Sequence, residues 1–163
     1  MPDNSNLSLY LRWEKSGSLG RSFILRGNED IATLQFPRLL SDQAMGNIDG
    51  RSYHFNIKGI FRRTVTIIQD PFDHEVATMK LISRGGELEF IDGRRFTLTE
   101  ESLFKRSWKF KDEYGKELVS FNVPVFKSIA GEVRTSTQVM SEKMLPLLLF
   151  AGWYAIVLFL ASG

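Results

Sequence analysis

The last stretch of the chain, Met144 to Gly163, reads MLPLLLFAGWYAIVLFLASG and carries no charge. A helix that is apolar on every side belongs either in lipid or inside a protein. Twenty residues at helical rise span roughly 30 Å, the thickness of a bilayer core. The same length also threads the axis of a small β-barrel. The rest of the chain has to decide between the two.

Up to about Val139 the sequence is punctuated like a meander. Leu7, Leu9, Leu11 and Trp13 alternate with Ser8, Tyr10 and Arg12, the period of a half-buried strand. Further strands are predicted at Ser22–Arg26, Ile31–Phe36, Arg51–Ile57, Thr64–Ile68, Val76–Ile82, Glu87–Ile91, Arg95–Thr99, Leu103–Phe110, Glu117–Val123 and Glu132–Val139. Asp49-Gly50, Gly85-Gly86, Asp92-Gly93 and Tyr114-Gly115 fall between them as hairpin turns, where glycine supplies the positive φ. About eleven or twelve short strands joined by hairpins close naturally into a barrel or stack as a sandwich. No repeat, low-complexity tract or linker divides residues 1–163, so one domain is expected, with strands over about 7–139 and the helix over about 142–161.

Several features set the terminal helix inside the barrel rather than in lipid. Trp153 and Tyr154 fall mid-segment, whereas membrane spans favour these residues at the interfaces. Lys143 is the only cation near the start, and Gly152 beside Trp153 suits a contoured contact with protein. A barrel of more than about eight strands also leaves a space its own side chains do not fill. The expected fold is therefore mainly β, a closed antiparallel barrel around a central hydrophobic C-terminal α-helix. A tail anchor below a cytosolic β-domain is the alternative.

Composition excludes several functions. Lys and Arg number 21 against 19 Asp and Glu, too balanced to argue for nucleic acid as a partner. Cysteine is absent, which removes disulfides, thiolate nucleophiles and Cys-based metal sites. The opening MPDNSNLSLYLRW has no basic region followed by an apolar one, so a secretory signal is not expected and the cytoplasm is the expected compartment.

The strand-turn series FILRGNEDIATLQFPR, IDGRSYHFNIKGIFRRTVTII and GELEFIDGRRFTL, followed by LPLLLFAGWYAIVLFL, resembles the tubby C-terminal-like superfamily. That group includes tubby-like proteins, LURP-one-related proteins and phospholipid scramblases. The likeness is one of architecture and covers nearly the whole chain. It implies a closed barrel with the helix through its axis and suggests association with membranes or anionic phospholipid. No catalytic constellation is present in the sequence, so enzymatic activity is not expected. Scramblase-like members carry an acidic Ca²⁺ loop before the last helix. Here that stretch is SIAGEVRTSTQVMSEK, with only Glu132 and Glu142, so Ca²⁺-triggered lipid movement is not expected.

Candidate headgroup ligands are Arg62, Arg63, Lys105, Arg106, Lys109 and Lys111, with Arg94-Arg95 as a further basic pair. On the strand expected at Leu103–Phe110, Lys105, Ser107, Lys109 and Lys111 share one face, and Phe104, Arg106, Trp108 and Phe110 share the other. A cationic barrel wall docks anionic headgroups, and charge reversal at Lys105, Lys109 and Lys111 is then expected to weaken binding. The same residues also suit a solvated face that guards against edge pairing. Arg106, set between apolar neighbours, would serve a carboxylate or phosphate in the barrel mouth, where a third reading places a small-molecule carrier or enzyme pocket.

The turn QDPFDHE, with Asp70, Asp73, His74 and Glu75, lacks the ligand alternation and glycine of a Ca²⁺ loop and fits an ordinary turn. His54 and His74 stand in no triad, HExxH, P-loop or GxGxxG context. No cofactor or metal is expected.

Overall fold

The protein is described by a computed structural model that covers residues 8–16, 21–27, 30–37, 41–48, 50–59, 62–102, 104, 106–124, 130–136 and 144–162. Leu7, Asp49, Leu103, Lys105, residues 137–139, Glu142 and Lys143, all used in the sequence reading, lie outside the described residues. The strands are β1 (Ser8–Lys15), β2 (Arg21–Arg26), β3 (Asp30–Phe36), β4 (Ala44–Ile48), β5 (Arg51–Lys58), β6 (Arg63–Gln69), β7 (His74–Ile82), β8 (Gly85–Phe90), β9 (Arg95–Ser102), β10 (Ser107–Lys111), β11 (Glu117–Asn122) and β12 (Ala130–Ser136). The helix α1 spans Met144–Ser162. Every strand pairs antiparallel with its sequence neighbours, and β1 closes on β12, with Leu11 opposite Val133.

An antiparallel ring closes only with an even number of strands, because direction alternates at every step. The strand missing from the eleven marked on the sequence is β4, AMGNI, whose Gly46 and Asn47 disfavour extended structure. Packing overrides that preference. A Cβ at Gly46 would lie 2.7 Å from Cε1 of Phe150 on α1, so the ring needs the glycine beneath it.

Two local expectations are corrected. The pair Gly85-Gly86 is not a turn but the start of β8, and the chain reverses at Ser83 and Arg84, with Ser83 at φ 53°. A Cβ at Gly85 would sit 2.5 Å from the Leu98 carbonyl, and one at Gly86 2.8 Å from Met79 Cε, so the glycines are there for close approach rather than for a turn. The predicted strand Leu103–Phe110 begins only at Ser107. Phe104 is 89% exposed in the preceding turn, and Arg106 takes a left-handed φ of 45°. The assumed alternation through Phe104 and Arg106 therefore fails, because the turn resets the period and β10 meets β9 through a bulge at Ser107/Trp108.

Inside the ring most strands alternate, although Leu118 and Val119 of β11 are buried side by side. On β8, Leu88 and Phe90 point inward while Glu87 and Glu89 face water. The interior is filled by α1, which touches opposite walls at once. Trp153 lies 6.2 Å from Trp13 on β1 and 6.4 Å from Phe23 on β2. Tyr154 is sandwiched between Phe36 on β3 and Phe55 on β5, at 5.8 and 4.8 Å. Phe159 stacks on Trp108 of β10 at 6.4 Å. Gly152 lets the Phe121 and Phe110 rings approach the helix backbone. By length and composition α1 could cross a membrane, but 83% of Met144–Ala161 is buried within the protein. Each large apolar side chain buried this way is worth about 1.5–3 kcal/mol, so the buried face of the helix is a major part of the core that the inward strand residues complete.

Tyr154 carries a hydroxyl into this core. Its hydroxyl donates to the Asp42 carbonyl at 2.6 Å, and burial, reinforced by the Asp42 charge, pushes its pKa above the usual tyrosine range. The folded state thus keeps a neutral phenol where the unfolded chain ionises near pH 10. This contribution is fully present below pH 10 and is lost as pH rises above it. Tyr154→Phe is expected to cost about 1 kcal/mol at pH 7. Above pH 10 that difference should shrink by about 1.4 kcal/mol per pH unit, as read from urea denaturation. A cost independent of pH would mean the phenol is not held neutral.

Candidate functional site

Alternation of strand direction sorts the connections between two rims. The β1–β2, β3–β4, β5–β6, β7–β8, β9–β10 and β11–β12 connections share one rim, and the remaining hairpins share the other. The start of α1 lies at the second, where Met144 meets the Arg94 guanidinium of the β8–β9 turn. The helix ends at the first, where Leu160 and Ala161 lie beside Lys15 and Arg21.

Charge is divided unevenly between the rims. Among described residues, the connections and terminal strand positions where α1 ends hold Lys15, Arg21, Lys58, Arg62, Arg63, Arg84 and Arg106, with Asp42 the only acid. By the same measure the opposite rim mixes Arg26, Arg51, Arg94, Arg95, Lys111 and Lys116 with Asp30, Asp70, Asp73, Asp92, Asp112, Glu113 and Glu117. Exposed apolar tips occur at both, Ile82 and Phe104 at the basic rim and Phe72, Ile91 and Tyr114 at the other. Charge, not apolarity, distinguishes them.

Pairing within the basic rim is incomplete. Asp42 is shared by Arg63 and, at 3.5 Å, by Arg21, whose Nη2 also donates to the Ser41 carbonyl at 2.5 Å. Through its carbonyl the same Asp42 accepts from Tyr154, which ties the cations to the helix. Arg84 meets Glu100 at 2.8 Å and lies over the Trp108 ring. Lys15, Lys58, Arg62 and Arg106 have no ion-pair partner among the described residues. Nη1 of Arg106 is moreover buried without a hydrogen-bond acceptor among the described residues.

The structure therefore redistributes the sequence candidates. Arg62, Arg63 and Arg106 come together on the basic rim. Lys105 lies outside the described residues. Lys109 and Lys111 sit on the outer wall of β10 and are neutralised, Lys109 by Glu117 and Lys111 by Glu101, each at 2.9 Å. These contacts hold the Lys109 ammonium above the usual lysine range and the Glu101 carboxyl below the usual carboxylate range. The expected cationic wall is thus a row of ion pairs. Arg94 and Arg95 belong to the opposite rim, where they meet Asp92 and Glu89.

The QDPFDHE turn stays scattered. Asp70 is taken by His54 Nδ1 at 2.8 Å, and Thr78 donates to Glu75. Among the described residues no three His, Asp or Glu side chains gather as a metal ion requires.

No protein-family model matches the sequence, and no curated protein or solved structure is significantly similar to it.

Proposed function

We propose that the chain is a non-enzymatic, tubby-like barrel that associates peripherally with anionic membranes through the rim at which α1 ends. The observation that carries this reading is the collection of Lys15, Lys58, Arg62 and Arg106 at one rim without carboxylate partners among the described residues. Each basic residue near an anionic bilayer surface is worth about 1 kcal/mol, so these four supply about 4 kcal/mol before ordering costs. Exposed Phe104 and Ile82 flank the same surface. Burial of α1 in the barrel supports a peripheral rather than an anchored mode, because the segment that would span the bilayer already forms the core. The architecture, a closed ring around an axial apolar helix, supports the tubby-like reading.

Co-sedimentation tests it. The protein is expected to pellet with phosphatidylserine-containing vesicles, to ignore neutral ones, and to be released by high salt. Lys58→Glu with Arg62→Glu removes two cations and adds two anions at exposed positions, and should weaken binding at least ~30-fold. Lys109→Glu with Lys111→Glu, on the paired wall, should change it little. Binding lost through the wall variant and kept by the rim variant would reverse the assignment.

A further inference from the structure

At the basic rim the otherwise enclosed helix is left partly uncovered. Leu160 is half-buried and Ala161 exposed, and together with Val157, Trp13 and Phe23 they line an open cleft of about 190 Å³. Lys15 and Arg21 complete its wall. Arg21 stacks on Phe36 with its guanidinium carbon 4.5 Å from the ring centre; its Nη2 is held by Asp42 and the Ser41 carbonyl, and its buried Nε has no hydrogen-bond acceptor among the described residues. An apolar floor beside Lys15, which has no ion-pair partner among the described residues, suits an alkyl chain ending in an anion.

We propose that this cleft binds a single long-chain fatty carboxylate, its chain along Trp13, Phe23, Val157 and Leu160 and its carboxylate at Lys15 and Arg21. The size argues for one chain. Sites that enclose a drug-sized ligand run to about 300–1,000 Å³, so this cleft has room for part of one alkyl chain and would leave the second chain of a phospholipid in water. The inference rests on the same basic rim as the membrane reading, but the two fail separately. Lys15 serves both, but the carboxylate also needs the cleft, whereas vesicle docking also needs Lys58 and Arg62, which do not line it.

Tryptophan quenching by bromododecanoate below its micelle concentration tests the site, because Trp13 forms part of the wall. Saturable quenching is expected, with neutral dodecanol binding about tenfold more weakly. Ala161→Phe fills the cleft from an exposed position and should abolish the saturable phase. Lys15→Glu, also exposed, should weaken it about tenfold or more. Both variants should keep the wild-type melting profile, and Ala161→Phe should still pellet with anionic vesicles. Absence of saturable quenching, or quenching unchanged in Ala161→Phe, overturns the proposal. Quenching only by brominated phospholipid vesicles, lost in Ala161→Phe, overturns it in favour of a bilayer chain. Carboxylate binding without vesicle association leaves the cleft standing and removes the membrane reading.

Discussion

Replacing Ala155 with Asp is expected to leave the full-length protein insoluble or molten. Ala155 is fully buried at mid-helix, in the turn that carries Trp153, Tyr154 and Ile156. An unpaired ion placed there costs several kcal/mol even after relaxation. Protonation avoids the charge but leaves a carboxylic acid without partners, at a further 1–3 kcal/mol or so, plus the strain of added volume. Whole domains are stable by only about 5–15 kcal/mol, so one substitution consumes much of the margin. Ala161→Asp, on the same helix but exposed at the rim, is the internal control and should leave the melting temperature within a degree or two. If Ala155→Asp folds and melts like wild type, α1 is not the core.

The second large effect concerns Gly152, where two physical terms compete. Glycine in a helix interior costs about 1 kcal/mol relative to alanine, so propensity alone predicts that Gly152→Ala stabilises. Packing predicts the reverse. A Cβ there would stand 2.5 Å from Cε2 of Phe121 and 3.0 Å from Cε2 of Phe110. Both rings are fully buried and packed edge-to-face 6.2 Å apart, so neither swings away freely. Overpacking of this kind costs about 1–3 kcal/mol, and the net expectation is destabilisation. A larger residue, as in Gly152→Val, should cost several kcal/mol. Phe121→Leu should recover part of the loss, with a coupling of about 1 kcal/mol or more in the double-mutant cycle. Urea denaturation reads all four corners. A stabilised Gly152→Ala would show that the Phe121 ring does not rest on the helix.

How the charges sort between rims explains what the sequence concealed. Period-2 alternation and glycine turns made nearly every strand visible, and the position of Trp153 and Tyr154 placed the helix inside, where both now meet barrel walls. The lost element was β4, because the glycine that obscures it answers to Phe150, more than a hundred residues away. That single omission matters beyond its five residues. Dropping one strand reverses the direction of all later ones, so Lys15 and Arg21 would fall on one rim and Lys58, Arg62, Arg84 and Arg106 on the other. The basic rim is legible only when the strand count is right. Lys109 and Lys111 misled for a different reason. Their alternation was read correctly, but the partners that neutralise them come from β9 and β11, and pairing across strands depends on register. Arg106 escaped because its left-handed turn breaks the period on which its assignment depended.

A barrel built around α1 cannot keep its core without the helix. The most direct measurement compares the full chain with residues 1–143, both expressed without detergent and followed by circular dichroism during heating. The full chain should remain in solution and melt cooperatively, while the truncated one, with a ring of apolar side chains facing an empty interior, should be insoluble or molten. A truncated chain that is soluble and melts in a single sharp transition would contradict the account and place the helix outside the fold.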